Sequence, residues 1–422
     1  MKKDVVYVAL SVFGVQGAAY LGQFILAGML PAEQFAIVRT VEASLQLLSA
    51  IAPLGVSLLV VRLAAQTTEP QALGRSLSSY LAFAMVAGIA VAGICSLLIG
   101  AFGQRDADPY LLGMVWVLVL TNISRTALNF LYGKERFATV SVTNFIIALC
   151  YLIALVALVK LAGLPGWLGA KYLIETAFFL VSLAIVWRHL GRIVASLRFY
   201  AQLAREGLAV SLSLLFRTGL DTMPLLLLAY LGASAQDVAT FGLCSLMVAA
   251  AMILPASLNT VLLPKYAQVL KTEPDALQPL HNRYQKLLVM AGAALILALT
   301  VCGLLIEEFF GNKYSNITPA LIVLSLAIPA KLISTINANV LFAKSKTHIG
   351  TTINGLTLAV CVLLCFMASK IFNLSDLPLA IAGIALLSEC IASFQFLATT
   401  RRLLVKGLAV QRDSKSTNPM GG

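Results

Sequence analysis

Long apolar runs separated by short polar breaks repeat along the whole chain. Many approach or exceed the roughly 20 residues a helix needs to cross about 30 Å of hydrocarbon. The period-two alternation of membrane-barrel strands is absent, and helices are the remaining way to satisfy a backbone in lipid. Run length predicts twelve helices, over residues 5–29, 34–61, 74–102, 108–133, 138–162, 166–188, 207–231, 237–263, 285–306, 315–343, 347–370 and 377–400. Two connections are longer than the rest, 189–206 and 264–284, and no loop can hold a folded domain outside the membrane. The expected class is an all-α integral membrane protein.

Composition agrees: of 422 residues, 60% are hydrophobic and 11% charged, and mean hydropathy is +0.92. The start, Met1-Lys2-Lys3-Asp4, leads into an apolar run too long for a signal peptide, so it reads as an uncleaved first helix. The net charge of +12 would suggest nucleic acid in a soluble protein. Here the cations gather in loops on one side, and no nucleic-acid partner is expected. With the N-terminus inside, 21 lysines and arginines fall on the cytoplasmic side and 5 opposite, among them Lys171 and Lys313. Both termini are therefore expected in the cytoplasm.

The chain also repeats itself. Leu131-Tyr132-Gly133-Lys134-Glu135-Arg136 is similar to Leu341-Phe342-Ala343-Lys344-Ser345-Lys346, and Asn144 and Asn354 follow at the same distance. Pro53 precedes Ala65-Gln66 as Pro255 precedes Ala267-Gln268. Six helices thus map onto six in the same orientation, which predicts two parallel-repeat bundles, 1–188 and 207–403, around a central cavity. Residues 189–206 between them read as an amphipathic surface helix, with Leu190, Ile193, Val194, Leu197 and Ala201 on one stripe and arginines outside it. That helix would lie on anionic lipid or make first contact with a lipid phosphate. Residues 404–422 read as a cytoplasmic tail, polar and disordered from about 407.

Eight charged residues lie inside predicted helices: Arg39, Glu42, Arg125, Glu175, Arg217, Asp221, Lys331 and Glu389. Facing lipid, they would cost on the order of 20 kcal/mol together. They must face one another, a wet cavity or a charged substrate. Arg39 and Glu42 are three apart, and Arg217 and Asp221 four apart, so each pair shares a helix face. Each pair reads as a structural bridge, or as a cavity wall whose cation can exchange its carboxylate for a substrate phosphate. Arg125 and Lys331 have no partner on their own helices and sit on helices 4 and 10, which the repeat makes equivalent, so they are the better candidates to bind an anion. Snorkelling, or pairing with Glu175 or Glu389, is the alternative. Glu175 lies near the outer end of its helix, whereas Asp221, Glu42 and Glu389 could carry a coupling proton.

The seven cysteines fall in apolar runs without metal-ligand or disulfide spacing, and the three histidines lie in or beside basic loops. No metal, cofactor or nucleotide loop is expected.

Several stretches resemble one family. They are Arg217-Thr218-Gly219-Leu220-Asp221, Leu231-Gly232, Val238-Ala239-Thr240-Phe241-Gly242, Leu262-Leu263-Pro264-Lys265 and Phe309-Phe310-Gly311-Asn312-Lys313-Tyr314. The chain resembles the polysaccharide repeat-unit (O-antigen, Wzx-type) flippases of the superfamily that also holds multidrug extruders and the lipid II flippase. The resemblance implies two six-helix bundles forming a V. It implies carriage of an undecaprenyl-diphosphate-linked oligosaccharide to the outer leaflet of the bacterial cytoplasmic membrane, driven by an ion gradient. Membrane lipid, a polysaccharide polymerase and chain-length machinery are the expected partners. Arg125 and Asp221 match the family's cavity charges best. One departure stands out: the intramembrane charges balance, four cations against four carboxylates, which leaves the substrate's charge open. A multidrug extruder of the same fold is the alternative. A membrane glycan polymerase or acyltransferase is disfavoured, because the outer loops are short and no histidine lies mid-membrane.

Overall fold

A computed structural model describes residues 2–416, apart from 68, 103–105, 194–195, 254, 256–261, 263–264, 267, 271, 274–275, 315–316 and 345. Among the described residues there is no strand. Fifteen α-helices can be bounded among the described residues: α1 (Lys2–Met29), α2 (Ala32–Ile51), α3 (Val56–Gln66), α4 (Pro70–Phe102), α5 (Asp108–Val115), α6 (Val117–Gly133), α7 (Phe137–Ala162), α8 (Leu164–Val186), α9 (Leu197–Tyr230), α10 (Ala235–Ala251), α11 (Leu277–Phe310), α12 (Ile317–Ser325), α13 (Ala327–Ala343), α14 (Thr347–Ile371) and α15 (Leu377–Ser416). Among the described residues, nine stretches, some of them joined pairs, are long and apolar enough to cross a membrane. α1, the α2–α3 pair and the shorter apolar helix α10 supply the remaining three of the twelve expected helices.

Three predicted helices are broken. The span 34–61 divides after Ile51, where Pro53 supplies no amide donor and Leu54 and Gly55 take φ of 42° and 68° before α3 begins. The spans 108–133 and 315–343 divide at Trp116 and Leu326; Pro329 leaves the Ser325 carbonyl without a donor at the second break, and no proline follows the first. The same interval of 210 residues separates Trp116 from Leu326 and Lys134 from Lys344, so the break belongs to the repeat.

Packing repeats as well. α1 packs on α7 as α9 packs on α14; α6 packs on α8 as α13 packs on α15; and α4 packs on α6 as α11 packs on α13. The halves meet where α2 lies against α9 and α10. α6 is buried and rich in hydroxyls, a costly choice in lipid. Ser124 and Thr126 remove that cost by donating to carbonyls one turn back, at Leu120 and Asn122, and Thr121 has both the Val117 carbonyl and Glu175 as acceptors for its one hydroxyl proton. Apolar side chains such as Leu97, Leu161 and Phe394 are exposed on the perimeter, where lipid would cover them.

The connection between halves differs from the expected surface helix. A 3-10 turn, Trp187–His189, gives way to non-helical chain, and α9 starts at Leu197, with Ser196 Oγ accepting from the Phe199 amide. Leu197 and Ala201 therefore belong to the membrane-crossing helix, because the cap starts it there and nothing interrupts it afterwards. The last helix likewise continues to Ser416, through residues expected to be disordered. The cysteines are not uniformly buried: Cys150, Cys302 and Cys390 are exposed, while Cys244, Cys361 and Cys365 are buried. His281 is also buried, beside Tyr266. Leu263, Pro264, Val194, Ala267, Ser345 and the end of the tail lie outside the described residues.

One end of the bundle carries the basic turns around Lys134, Arg188 and Lys344. At the opposite end the halves are tied together. Lys313 Nζ donates to the Ala27 carbonyl (2.6 Å), and Tyr314 Oη donates to the same oxygen (2.7 Å). The Tyr314 ring meets Phe35 edge to face, with centroids 6.1 Å apart.

Candidate functional site

A cavity of about 270 Å³ lies between the halves, lined from α1, α2, α9, α10, α12, α13 and α15. Its charged floor comes from α9, α13 and α15. α9 carries Arg217 and Asp221 one turn apart, near an internal proline, Pro224. Gly219, between them, lets α14 approach, since a Cβ there would sit 2.7 Å from Leu358. α13 supplies Lys331 and α15 supplies Glu389.

These four side chains close a ring of alternating charge. Arg217 Nη1 lies 3.1 Å from Glu389 Oε2, and Arg217 Nη2 lies 3.6 Å from Asp221 Oδ1. Lys331 Nζ lies 2.5 Å from Asp221 Oδ1 and 3.7 Å from Glu389 Oε1. Each cation touches both carboxylates. Glu389 is buried, while Asp221 is exposed and its side chain lines the cavity. The expected Arg217/Asp221 bridge is present, but it is the longer contact; the cross-helix partners lie closer.

Arg39 enters the cavity from α2, on the other half. It is buried, and its Nε has no hydrogen-bond partner. Its side chain runs over Gly242 of α10, where a Cβ would meet Arg39 Cγ at 2.8 Å.

The expected Arg39/Glu42 bridge does not form among the described residues. Glu42 turns instead into the first half, where Lys171 Nζ lies 2.9 Å away and Gln23 Nε2 donates at 3.2 Å. Lys171, expected among the outer-side cations, is thus part of a half-buried ion pair and also stands over the Tyr151 ring. The available signal was its i,i+4 spacing from Glu175 on α8. Glu175 accepts from Thr121 Oγ1 at 2.9 Å, so it is held inside the half rather than at the interface.

Arg125 does not line this cavity. It is the single exposed residue in the buried run Thr121–Leu128. The repeat interval matches Lys331 to Thr121, one turn away, so Arg125 and Lys331 are not equivalent positions. The parallel with the second half is Thr121 on Glu175 in the place of Lys331 on Glu389.

The expected balance of charge is therefore corrected. The cavity holds Arg39, Arg217 and Lys331 against Asp221 and Glu389. Glu42, Glu175 and Lys171 form a separate group in the first half, and Arg125 stands apart. No group of histidine, cysteine or carboxylate side chains among the described residues could hold a metal ion.

Residues 1–270 match the family model described as polysaccharide biosynthesis protein. The chain belongs to that family. No curated protein matches the sequence. Members of the polysaccharide biosynthesis family can be set beside solved transporters through this fold. A multidrug resistance MATE family transporter of the MOP superfamily in its inward-facing conformation overlays with a TM-score of 0.79 at 12% identity, covering 96% of this chain and 98% of that one. The outward-facing conformation of such a transporter overlays with a TM-score of 0.67 at 12% identity, covering 96% of each chain. A MOP superfamily transporter from Pyrococcus furiosus, reported with a binding pocket of reverse polarity, overlays at 0.69 and 12% identity, also covering 96% of each. These likenesses establish the fold. The chain is a multi-pass membrane protein of the transporter kind, in a family and fold of transporters rather than enzymes.

Proposed function

We propose that the protein flips an undecaprenyl-diphosphate-linked oligosaccharide from the cytoplasmic to the outer leaflet of a bacterial cytoplasmic membrane, with both termini in the cytoplasm. One observation carries this reading: the cavity holds three cations against two carboxylates, and the Nε of one cation, Arg39, is buried without a hydrogen-bond partner. A buried unpartnered guanidinium donor is costly, and its planar fork suits an oxyanion such as a phosphate. A diphosphate entering between the halves would meet Arg39 on one side. On the other side it would compete with Asp221 and Glu389 for Arg217 and Lys331. Protonation of either carboxylate would release a cation to the substrate, which is how an ion gradient would couple to binding. Arg125, exposed outside the cavity, would contact the headgroup before it enters. The 270 Å³ space suits the diphosphate and its neighbouring groups, so passage of a whole glycan requires the halves to separate. The tie through Lys313 and Tyr314, with the better overlay on an inward-facing transporter, supports a state closed at the end opposite the basic turns.

The test is transport of a labelled polyprenyl-diphosphate oligosaccharide in proteoliposomes, together with surface glycan in a deletion strain. Deletion is expected to trap intact lipid-linked units at the cytoplasmic face. Arg39→Ala and Lys331→Ala should each weaken substrate affinity about ten- to a hundredfold, the worth of a charged hydrogen bond. Normal surface glycan in the deletion strain would refute the reading. The likeness to multidrug transporters favours a second one, extrusion of drugs or other small molecules, and a drug-susceptibility panel on the same strain separates the two.

A further inference from the structure

A second pocket, of about 670 Å³, opens at the basic end of the first half, away from the central cavity. Three separate stretches build it. The start of α4 brings Gln71 and Arg75, the α6–α7 turn brings Lys134, and the connection after α8 brings Arg188, His189 and Arg192. No carboxylate lines it among the described residues. Bringing these like charges together is unfavourable, yet the backbone is arranged to do it. The Gly191 amide donates to the Gly74 carbonyl (3.1 Å) and to Ser78 Oγ (3.0 Å). A Cβ on Gly191 would lie 2.8 Å from the Arg75 nitrogen, and one on Gly74 would lie 2.9 Å from the His189 carbonyl. Glycine at both positions lets the connection clamp onto α4 and hold Arg188 and Arg192 beside Arg75. Lys134 is held by the Thr67 carbonyl (3.1 Å) and keeps further donors. Arg75, Arg188 and Arg192 remain exposed.

The pocket's depth narrows its ligand. Trp187, one residue before Arg188, is 71% exposed, and Ile193, one residue after Arg192, is 57% exposed. An exposed tryptophan at a helix end marks the headgroup level of a bilayer, and basic pockets between membrane helices at that level take phosphorylated headgroups.

We propose that this pocket binds the phosphate of an anionic phospholipid in the leaflet at the basic end, with Arg75, Arg188 and Arg192 as the chief contacts and Lys134 behind them. The occupant ties α4, the α6–α7 turn and the connection between the halves into one unit. This does not depend on what the central cavity carries.

The test is native mass spectrometry of the detergent-purified full chain titrated with phosphatidylglycerol or phosphatidylcholine. The wild-type protein is expected to retain phosphatidylglycerol preferentially. R75Q/R188Q/R192Q should weaken that retention on the order of a hundredfold, since each basic residue at an anionic surface contributes several-fold. Phosphatidylcholine binding should be unchanged, which also reports that the variant is folded. R75K/R188K/R192K should restore most of the retention. R401Q/R402Q, which removes two exposed cations of α15, should leave it intact. Equal retention by the glutamine variant, equal loss in R401Q/R402Q, or no preference in the wild type would overturn the proposal. So would micromolar binding of inorganic pyrophosphate to lipid-depleted protein that R75Q/R188Q/R192Q abolishes and Arg39→Ala leaves intact, which would make the ligand of this pocket a soluble anion instead.

Discussion

Arg39 is held in the cavity by the absence of a side chain opposite it. With a methyl group at position 242, its Cγ would be met at 2.8 Å and its Cβ at 3.0 Å, so the guanidinium would have to leave its present position. Gly242→Ala should therefore impair transport as Arg39→Ala does, with no change in charge and with the protein still present in the membrane. Transport at the wild-type rate by Gly242→Ala would show that Arg39's position is not what matters. That Arg39 must be shielded from lipid could be read from its place in an apolar run. Its partner could not. The i,i+3 spacing puts Glu42 on the same face, but a long carboxylate side chain can turn either way, and Lys171 of α8 draws it into the first half. Lys171 itself read as a loop cation because its position near a helix end says nothing about which neighbour waits there.

At the level of elements, the break between α2 and α3 touches the other half directly. Leu54 and Gly55 take positive φ, and a Cβ on Gly207 of α9 would come within 1.7 Å of the Leu54 carbonyl oxygen and 2.8 Å of its carbon. Backbone cannot yield as a flexible side chain can. Gly207→Ala should cost more than the roughly 1–3 kcal/mol typical of overpacking, read as a lowered Tm in detergent and reduced abundance in the membrane. An unchanged Tm would mean that the two helices separate there without penalty. Proline and glycine made this break visible in the sequence, as punctuation inside an apolar run. At Leu326 the signal is Pro329, which offers no amide to the Ser325 carbonyl one turn back. The break at Trp116 carried no proline, and it shows only as a repeat, once both are seen at the same interval. The surface helix expected over 189–206 went the other way: its apolar stripe was real, but Ser196 caps a helix that runs on into the membrane.

For the whole molecule, the tie at the end opposite the basic turns decides which side the cavity can open to. The last carbonyls of α1 have no partner within their own helix, and Lys313 satisfies the one at Ala27 with a cation at the negative end of the helix dipole. Together with the Tyr314 hydroxyl bond, these contacts are worth about 2–4 kcal/mol. That is enough to change the ratio of two conformations by a factor of roughly 30 to 800. Lys313→Ala combined with Tyr314→Phe should shift the population towards separation at that end. Electron spin resonance distances between labels on the α1–α2 turn and the α11–α12 turn would report it, and an unchanged distance distribution would remove the tie from the gating scheme.

The sequence by itself determined that this chain crosses a membrane about twelve times, that its halves repeat, and that a handful of buried charges must find partners. These are consequences of run length, periodicity and the cost of charge in hydrocarbon, all of which act locally along the chain. Only the tertiary structure decided which charges meet. It placed Arg217, Asp221, Lys331 and Glu389 in one ring, sent Glu42 to Lys171, set Arg125 outside the cavity, and left the cavity with one more cation than carboxylate. Electrostatic pairing depends on separations of a few ångströms between helices far apart in sequence, and neither helical phase nor repeat register specifies those distances.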